Sequence, residues 1–287
     1  MIWQELSIVV PYEYVEPISY LFDRYGHGVS MEQEGPDQVL LRTYLADTSR
    51  HRMARIEIGV KLASLLQPLG ELKVRPLDEG EDWQNSWKAH FSLLRVGHRL
   101  VIKPSWIEYQ ASPGDVLIEL DPGMAFGTGY HPTTYTCLTA METLVKPGMT
   151  VLDLGTGSGI LTIAAIKLGA ASVLALDIDP DAVRAARQNF RRLGILPQVA
   201  LATGTVPHPQ AQPDQFDLVV ANISARAVQE RAPFILPVLK PGGSLVASGI
   251  IQDQEQGVHD ALAALGFAPI ERRPREDWVS LVGRRPG

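Results

Sequence analysis

From residue 150 onward, short apolar runs alternate with stretches in which apolar side chains return every three to four residues. The runs at 151–154, 172–177, 198–203 and 216–222 predict strands, and the stretches at 159–168, 180–193 and 225–236 predict helices between them. In the helix at 180–193, Val183, Ala186, Phe190 and Leu193 form one stripe, enough to seat it on a sheet. Such alternation specifies a parallel sheet covered on both faces. LKPGGSLVASG (239–249) then supplies a turn and a strand, 252–265 a helix, and 267–273 with 278–284 a closing antiparallel hairpin.

The first part of the chain has a different rhythm. Strands at 3–10, 28–33, 39–45 and 71–75 and helices at 15–25 and 50–66 follow the order βαββαβ, the ferredoxin-like plan. In the second of these helices Met53, Ile56, Val60 and Ala63 stand at helical spacing. The pattern divides the chain into a small α+β domain at 1–75, a linker and connecting helix at 76–106, and an α/β domain at 107–287. The stretch 78–82 is acidic and bears a glycine, as a linker would. Trp83 and Trp87, one helical turn apart in DWQNSWKAHF (82–91), would staple the connecting helix to a neighbouring domain.

Composition narrows the class. With 287 residues and 45% apolar content the chain can build two ordinary cores. The amino-terminal stretch carries Glu5 and no basic flank, so a secretory signal is not expected and a cytoplasmic location is. The longest apolar region, 160–176, is broken by Lys167 and Gly169, and no membrane role is implied. The one cysteine, Cys137, excludes an internal disulfide and, among Leu138, Met141 and Leu144, reads as a buried structural thiol. The seven histidines show no metal-ligand spacing, so no metal is expected. A net charge of −6 disfavours nonspecific nucleic-acid binding.

The chemistry gathers around VLDLGTGSG (151–159), an apolar strand entering a glycine-rich turn, with an acid, Asp177, closing the next strand. This is a nucleotide grip at a βαβ turn. Its glycines fall at 155, 157 and 159, whereas a dinucleotide fingerprint places its third small residue at 160, here Ile160, which argues against NAD or FAD. Asp153 has no part in that pattern but matches the motif by which class I methyltransferases hold S-adenosylmethionine. Glycines let the backbone approach a ligand, and the amides of the following helix favour an electron-rich group. Without a ligand, the same string would be only a tight strand-to-helix turn. Asp177 can accept two hydrogen bonds from a ribose diol. Its alternative role, capping a helix, already belongs to Asp179 before Pro180, which leaves Asp177 free for the ligand.

Asn222 closes the strand at 216–222, at the edge where open α/β sheets bind ligands. It either caps the helix near Ala225 or accepts from a substrate amine and aims its lone pair at the methyl group. Methyl transfer needs little beyond positioning, because the sulfonium is already activated. It does need an uncharged amine: about one lysine side chain in 2500 is neutral at pH 7, against roughly one α-amine in seven. No side chain in the motif is an evident general base, so desolvation and proton loss to water form the expected route.

One further segment points to a substrate. LDPGMAFGTGYHPTTYTCL (120–138) is by its chemistry a glycine- and hydroxyl-rich loop entering a helix, suited to a lid over a cofactor. Its DPGMAFGTG followed by HPTT resembles the signature of the bacterial methyltransferase of large-subunit ribosomal protein eleven, the PrmA family. DWQNSWKAHF, KPSW (103–106), DLGTGSGIL, LDIDP, VVANI and EDWVSLVGRR resemble that family in the same order, across essentially the whole chain. The resemblance implies a class I methyltransferase Rossmann-like sheet with a small amino-terminal ferredoxin-like domain, using S-adenosylmethionine to trimethylate the α-amine and lysine side chains of that ribosomal protein. By motif, the cofactor contacts are Thr134, Gly155, Asp177 and Asn222, joined by Asp153 and Gly157 of the glycine turn, and the βαββαβ unit recognises the protein substrate. Ser224 stands where the family often has leucine. Two alternatives stay open: a class I methyltransferase acting on another protein or a small amine, and a noncatalytic ribosome-assembly factor. Paired prolines, typical of amide and nucleobase methyltransferases, are replaced here by Ile223 and Ser224, and the intact Thr134, Asp153, Asp177 and Asn222 set speaks against a noncatalytic role.

Overall fold

The computed structural model describes residues 3–27, 29–77, 93–121 and 129–287. Two compact units emerge: Met1–Leu94 with Lys103–Gln110 and Glu119–Met124, and Arg95–Ile102 with Ala111–Ile118 and Ala125–Gly287.

In the first unit, β1 (Trp3–Pro11), α1 (Tyr12–Tyr25), β2 (Ser30–Gln33), β3 (Gln38–Ala46), α2 (Arg50–Ser64) and β4 (Lys73–Pro76) follow the order expected. Their strands form an antiparallel sheet ordered β2-β3-β1-β4. Leu6, Ile8 and Val10 alternate along β1 onto one buried face, and Val15, Ile18 and Phe22 of α1 are buried at helical spacing. On α2 only Ile56 and Val60 are buried, while Met53 and Ala63 are half-buried.

Residues 76–106, expected to be linker and connecting helix, contain β5 (Leu94–Val96) and β6 (Leu100–Lys103), which with β7 (Val116–Glu119) make a three-stranded sheet ordered β5-β6-β7. The runs at 94–96 and 100–103 are too short to carry a period-two signal of their own. The expected tryptophan-bearing helix at 82–91, the acidic stretch at 78–82 and most of DPGMAFGTG lie outside the described residues.

The second unit adds α3 (Pro132–Leu144), β8 (Thr150–Leu154), α4 (Ile160–Lys167), β9 (Ser172–Asp177), α5 (Pro180–Arg192), β10 (Val199–Thr203), β11 (Phe216–Asn222), α6 (Ala225–Val238), β12 (Leu239–Ile251), α7 (Glu255–Ala264), β13 (Ile270–Arg275) and β14 (Trp278–Arg284). Its seven strands are ordered β10-β9-β8-β11-β12-β14-β13. The pairs from β10 to β12 are parallel, and β14 joins β12 and β13 antiparallel. A core including Leu152, Leu176, Phe216, Val219, Ile235 and Leu281 fills the space under the helices. The sheet winds outward in both directions from β8 and β11, so their carboxyl ends flank the crevice where such sheets take ligands.

Candidate active site

The glycine turn leaves β8 at this switch point. Gly155, Gly157 and Gly159 have φ of 80°, 54° and 86°, left-handed conformations that only glycine adopts readily. The turn is pinned to the next strand, with the amides of Gly155 and Thr156 donating to the Leu176 carbonyl at 2.8 and 3.0 Å. A Cβ added at Gly155 would lie 2.5 Å from Ile223 Cγ2, so the turn passes hard against the end of β11.

Asp153 is 1% exposed, and its Oδ2 accepts from the hydroxyls of Thr156 and Thr162, each at 2.7 Å. Its Oδ1 is buried with no hydrogen-bond partner among the described residues. Burial pushes the Asp153 carboxyl up to about 6, although the two threonine hydroxyls pull it down. A buried carboxylate oxygen left open beneath a glycine turn fits a ligand that brings its own donor.

Asp177 ends β9, beside β8, but it is not free as expected. Its Oδ2 accepts from the Gly157 amide at 2.9 Å and its Oδ1 from the Asp179 amide at 3.0 Å. The carboxylate thus ties β9 to the glycine turn, and each oxygen keeps a second lone pair for a diol. Asp179 caps α5 by accepting from the Asp181 amide, with Pro180 opening the helix. Ile178, between the two acids, leaves its side chain 75% exposed and offers an apolar surface at the rim.

Asn222 ends β11, on the other side of β8 from Asp177. It does not cap α6; Ser224 does, its hydroxyl accepting from the Ala227 amide. That gives the serine a local role on the helix. The Asn222 amide nitrogen instead donates to Thr134 Oγ1 at 3.3 Å, 88 residues away. Thr134 is fully buried in the first turn of α3. His131 caps this helix, its Nδ1 accepting from the Thr133 amide, and its ring meets Trp278 edge-on at 4.9 Å between centroids. Burial holds the imidazole down to about 4, neutral across the physiological range. Below it, Thr136, Ser280 and Ser248 join hydroxyl to hydroxyl at 2.5 and 2.7 Å, and Ser248 donates to the Thr133 carbonyl at 3.1 Å. Trp278, Ser248 and Ser280 fix the seat of Thr134; Trp278 and Ser280 come from the EDWVS string, whereas Ser248, inside the LKPGGSLVASG strand, carried no sequence signal of its own. Cys137 is fully buried here, its thiol pushed up to about 12 by burial, in keeping with a structural role.

Within the first unit, the KPSW serine serves the glycine-rich segment: the Ser105 amide and hydroxyl donate to the two oxygens of Asp121 at 2.7 and 3.0 Å. In the second, a cleft of about 540 Å³ opens at the amino ends of β8 to β11, lined by Thr150, Ser172, Gln198 and Gln215 among others. Among the described residues its lining has no ionisable side chain, and it lies at the opposite edge of the sheet from the glycine turn. Among the described residues no group of three histidine, cysteine or acidic side chains could hold a metal, and no helix is long and apolar enough to cross a membrane.

A seven-stranded sheet with one antiparallel hairpin, a glycine turn at the switch point, an acid one residue before the end of β8 and an acid closing β9 define a class I methyltransferase. The model of the ribosomal protein L11 methyltransferase family (PrmA) matches residues 2–286, and the chain belongs to that family of S-adenosylmethionine-dependent protein methyltransferases. It is 46% identical to the ribosomal protein L11 methyltransferase of Chloroflexus aurantiacus, over 99% of this chain and 98% of that one. The Herpetosiphon aurantiacus protein of the same description is 40% identical over the full length of both. Among solved structures, the ribosomal protein L11 methylase of Lactobacillus delbrueckii subsp. bulgaricus is 37% identical, with a TM-score of 0.62, over 69% of this chain and all of that one.

Proposed function

We propose that this protein transfers methyl groups from S-adenosylmethionine to the α-amine and lysine side chains of ribosomal protein L11. The observation that carries the reading is the convergence of Asp153, the glycine turn, Asp177 and the Asn222–Thr134 pair on one sheet edge, in a chain matched from end to end by that family. The cofactor supplies a sulfonium methyl group that needs no further activation. Gly155 and Gly157 let the backbone close on it, Asp177 accepts from its ribose hydroxyls, and Asp153 offers the open Oδ1 while its Oδ2 holds the turn. Thr134 completes the cofactor site from α3.

Asn222 is the catalytic residue. Its amide nitrogen is committed to Thr134, which turns its oxygen toward the substrate amine as an acceptor. So held, the amine would keep its nitrogen lone pair aimed at the place the cofactor's methyl group would occupy; the bound cofactor would supply that methyl and depart as a neutral thioether, while the amine proton would pass to water. Alignment and exclusion of water provide the rate. Residues 1–75 recognise the protein substrate, 76–106 join it to the catalytic domain at 107–287, and the protein works in the cytoplasm without binding nucleic acid directly. Incubation of the purified protein with ribosomal protein L11 and methyl-labelled S-adenosylmethionine, with label mapped by mass spectrometry, tests the reading. Label on amines of L11 supports it; label only on another protein or a small amine refutes it.

A further inference from the structure

Helix α2 is apolar on two opposite faces. Ile56 and Val60 enter the core, while Ile58, Leu62 and Leu65, at i, i+4 and i+7, point the other way and are 56%, 60% and 80% exposed, with Leu66 at their side 83% exposed. Leu65 keeps right-handed helical dihedrals past the last helical residue, so the stripe is continuous. A helix with one core face needs only one apolar stripe, and large side chains gathered in water mark an interaction surface. The stripe is bordered by cations: Arg50, Arg55 and Lys61 are exposed and make no ion pair among the described residues, and Glu57 is the only acid on the helix. Two copies of the chain pairing α2 against α2 would set these cations against their own kind, which disfavours self-association.

We infer that the outer face of α2, built from Ile58, Leu62, Leu65 and Leu66 with Arg55 and Lys61 at its border, docks the ribosomal-protein substrate through an apolar patch edged by carboxylates. The inference rests on the function proposed above and gives substrate recognition a specific surface. Anchoring by a few apolar side chains with a charged rim is the usual division of labour at such contacts, the anchors giving affinity and the rim orientation.

The test uses the full chain in four forms: wild type, Leu62→Ser with Leu65→Ser, Arg55→Glu with Lys61→Glu, and the charge-keeping Arg55→Lys with Lys61→Arg. Circular dichroism checks that the fold is kept. Steady-state methylation of L11 is measured beside methylation of a short peptide carrying one acceptor amine, with cofactor affinity determined by calorimetry. The leucine and charge-reversal variants should each raise KM for L11 by about tenfold or more, leaving kcat, peptide methylation and cofactor affinity unchanged, while Arg55→Lys with Lys61→Arg should keep the wild-type KM. An unchanged KM for L11 in both variants overturns the docking surface while leaving the proposed function standing. Absence of L11 methylation by the wild-type protein overturns the function itself. A wild-type dimer in sedimentation that the leucine variant converts to monomer overturns the substrate assignment in favour of a second copy.

Discussion

Asp153→Asn separates the energetic role of this buried carboxylate from its binding role. The folded protein holds the Asp153 carboxyl at about 6 against an ordinary value of 3.8, chiefly through burial. At about 1.4 kcal/mol for each tenfold change in proton affinity, that rise is worth about 3 kcal/mol. Because the folded state binds this proton more tightly than the unfolded chain, the contribution is absent below about pH 4 and grows as a destabilisation until about pH 6, where it is complete. Asparagine does not titrate, and its amide oxygen can still accept from Thr156 and Thr162. Its amide nitrogen replaces the unpartnered Oδ1, a constant cost of about 1–3 kcal/mol that does not depend on pH. His131 titrates in an overlapping window with the opposite sign, but it does so in both proteins and cancels in the difference. The stability of Asp153→Asn relative to wild type, measured without cofactor by urea unfolding across pH 4 to 7.5, should therefore rise by about 3 kcal/mol with pH. Cofactor affinity in calorimetry should fall, by roughly 1.5–3 kcal/mol if a charge-assisted hydrogen bond to Oδ1 is lost. Parallel stability curves would refute the buried charge, and an unchanged dissociation constant would refute the cofactor role.

Asp177→Ala removes the ribose acceptor and also frees the Gly157 and Asp179 amides, so S-adenosylmethionine binding should weaken by at least about 1.5–3 kcal/mol in calorimetry; normal affinity in a folded variant refutes the assignment. Asn222→Ala should slow single-turnover methyl transfer by one to two orders of magnitude, at about 1.4 kcal/mol per tenfold, with a much smaller change in affinity. If saturating cofactor restores the rate, Asn222 serves the cofactor alone. His131, held down to about 4, contributes stability that is complete above about pH 6.5 and is lost as the pH falls toward 4. His131→Gln should therefore flatten the acid limb of the stability curve by up to about 3 kcal/mol, and equal acid sensitivity in the two proteins would show that the buried ring is not its source.

What the sequence determined by itself was local. Period-two and helical spacing placed nearly every strand and helix of the catalytic unit, because side-chain direction repeats with the backbone over a few residues. The glycines at 155, 157 and 159 forecast the left-handed turn, since other residues meet a steric penalty there, and Asp179 before Pro180 marked the start of α5. The family signature, spread over the whole chain, indicated the cofactor and the substrate class. Short β5 and β6 escaped because a few β-rich residues give too little periodicity to separate strand from linker. Only the tertiary structure decided that β8 lies between β9 and β11, which brings Asp177 and Asn222 to the two flanks of one turn. It alone gave Asp177 its hold on Gly157, gave Asn222 its bond to Thr134, left Asp153 with one open oxygen, and turned a second apolar face of α2 outward. These features join residues far apart in sequence, and their energies exist only once packing has fixed which strands are neighbours and which polar atoms have lost their water.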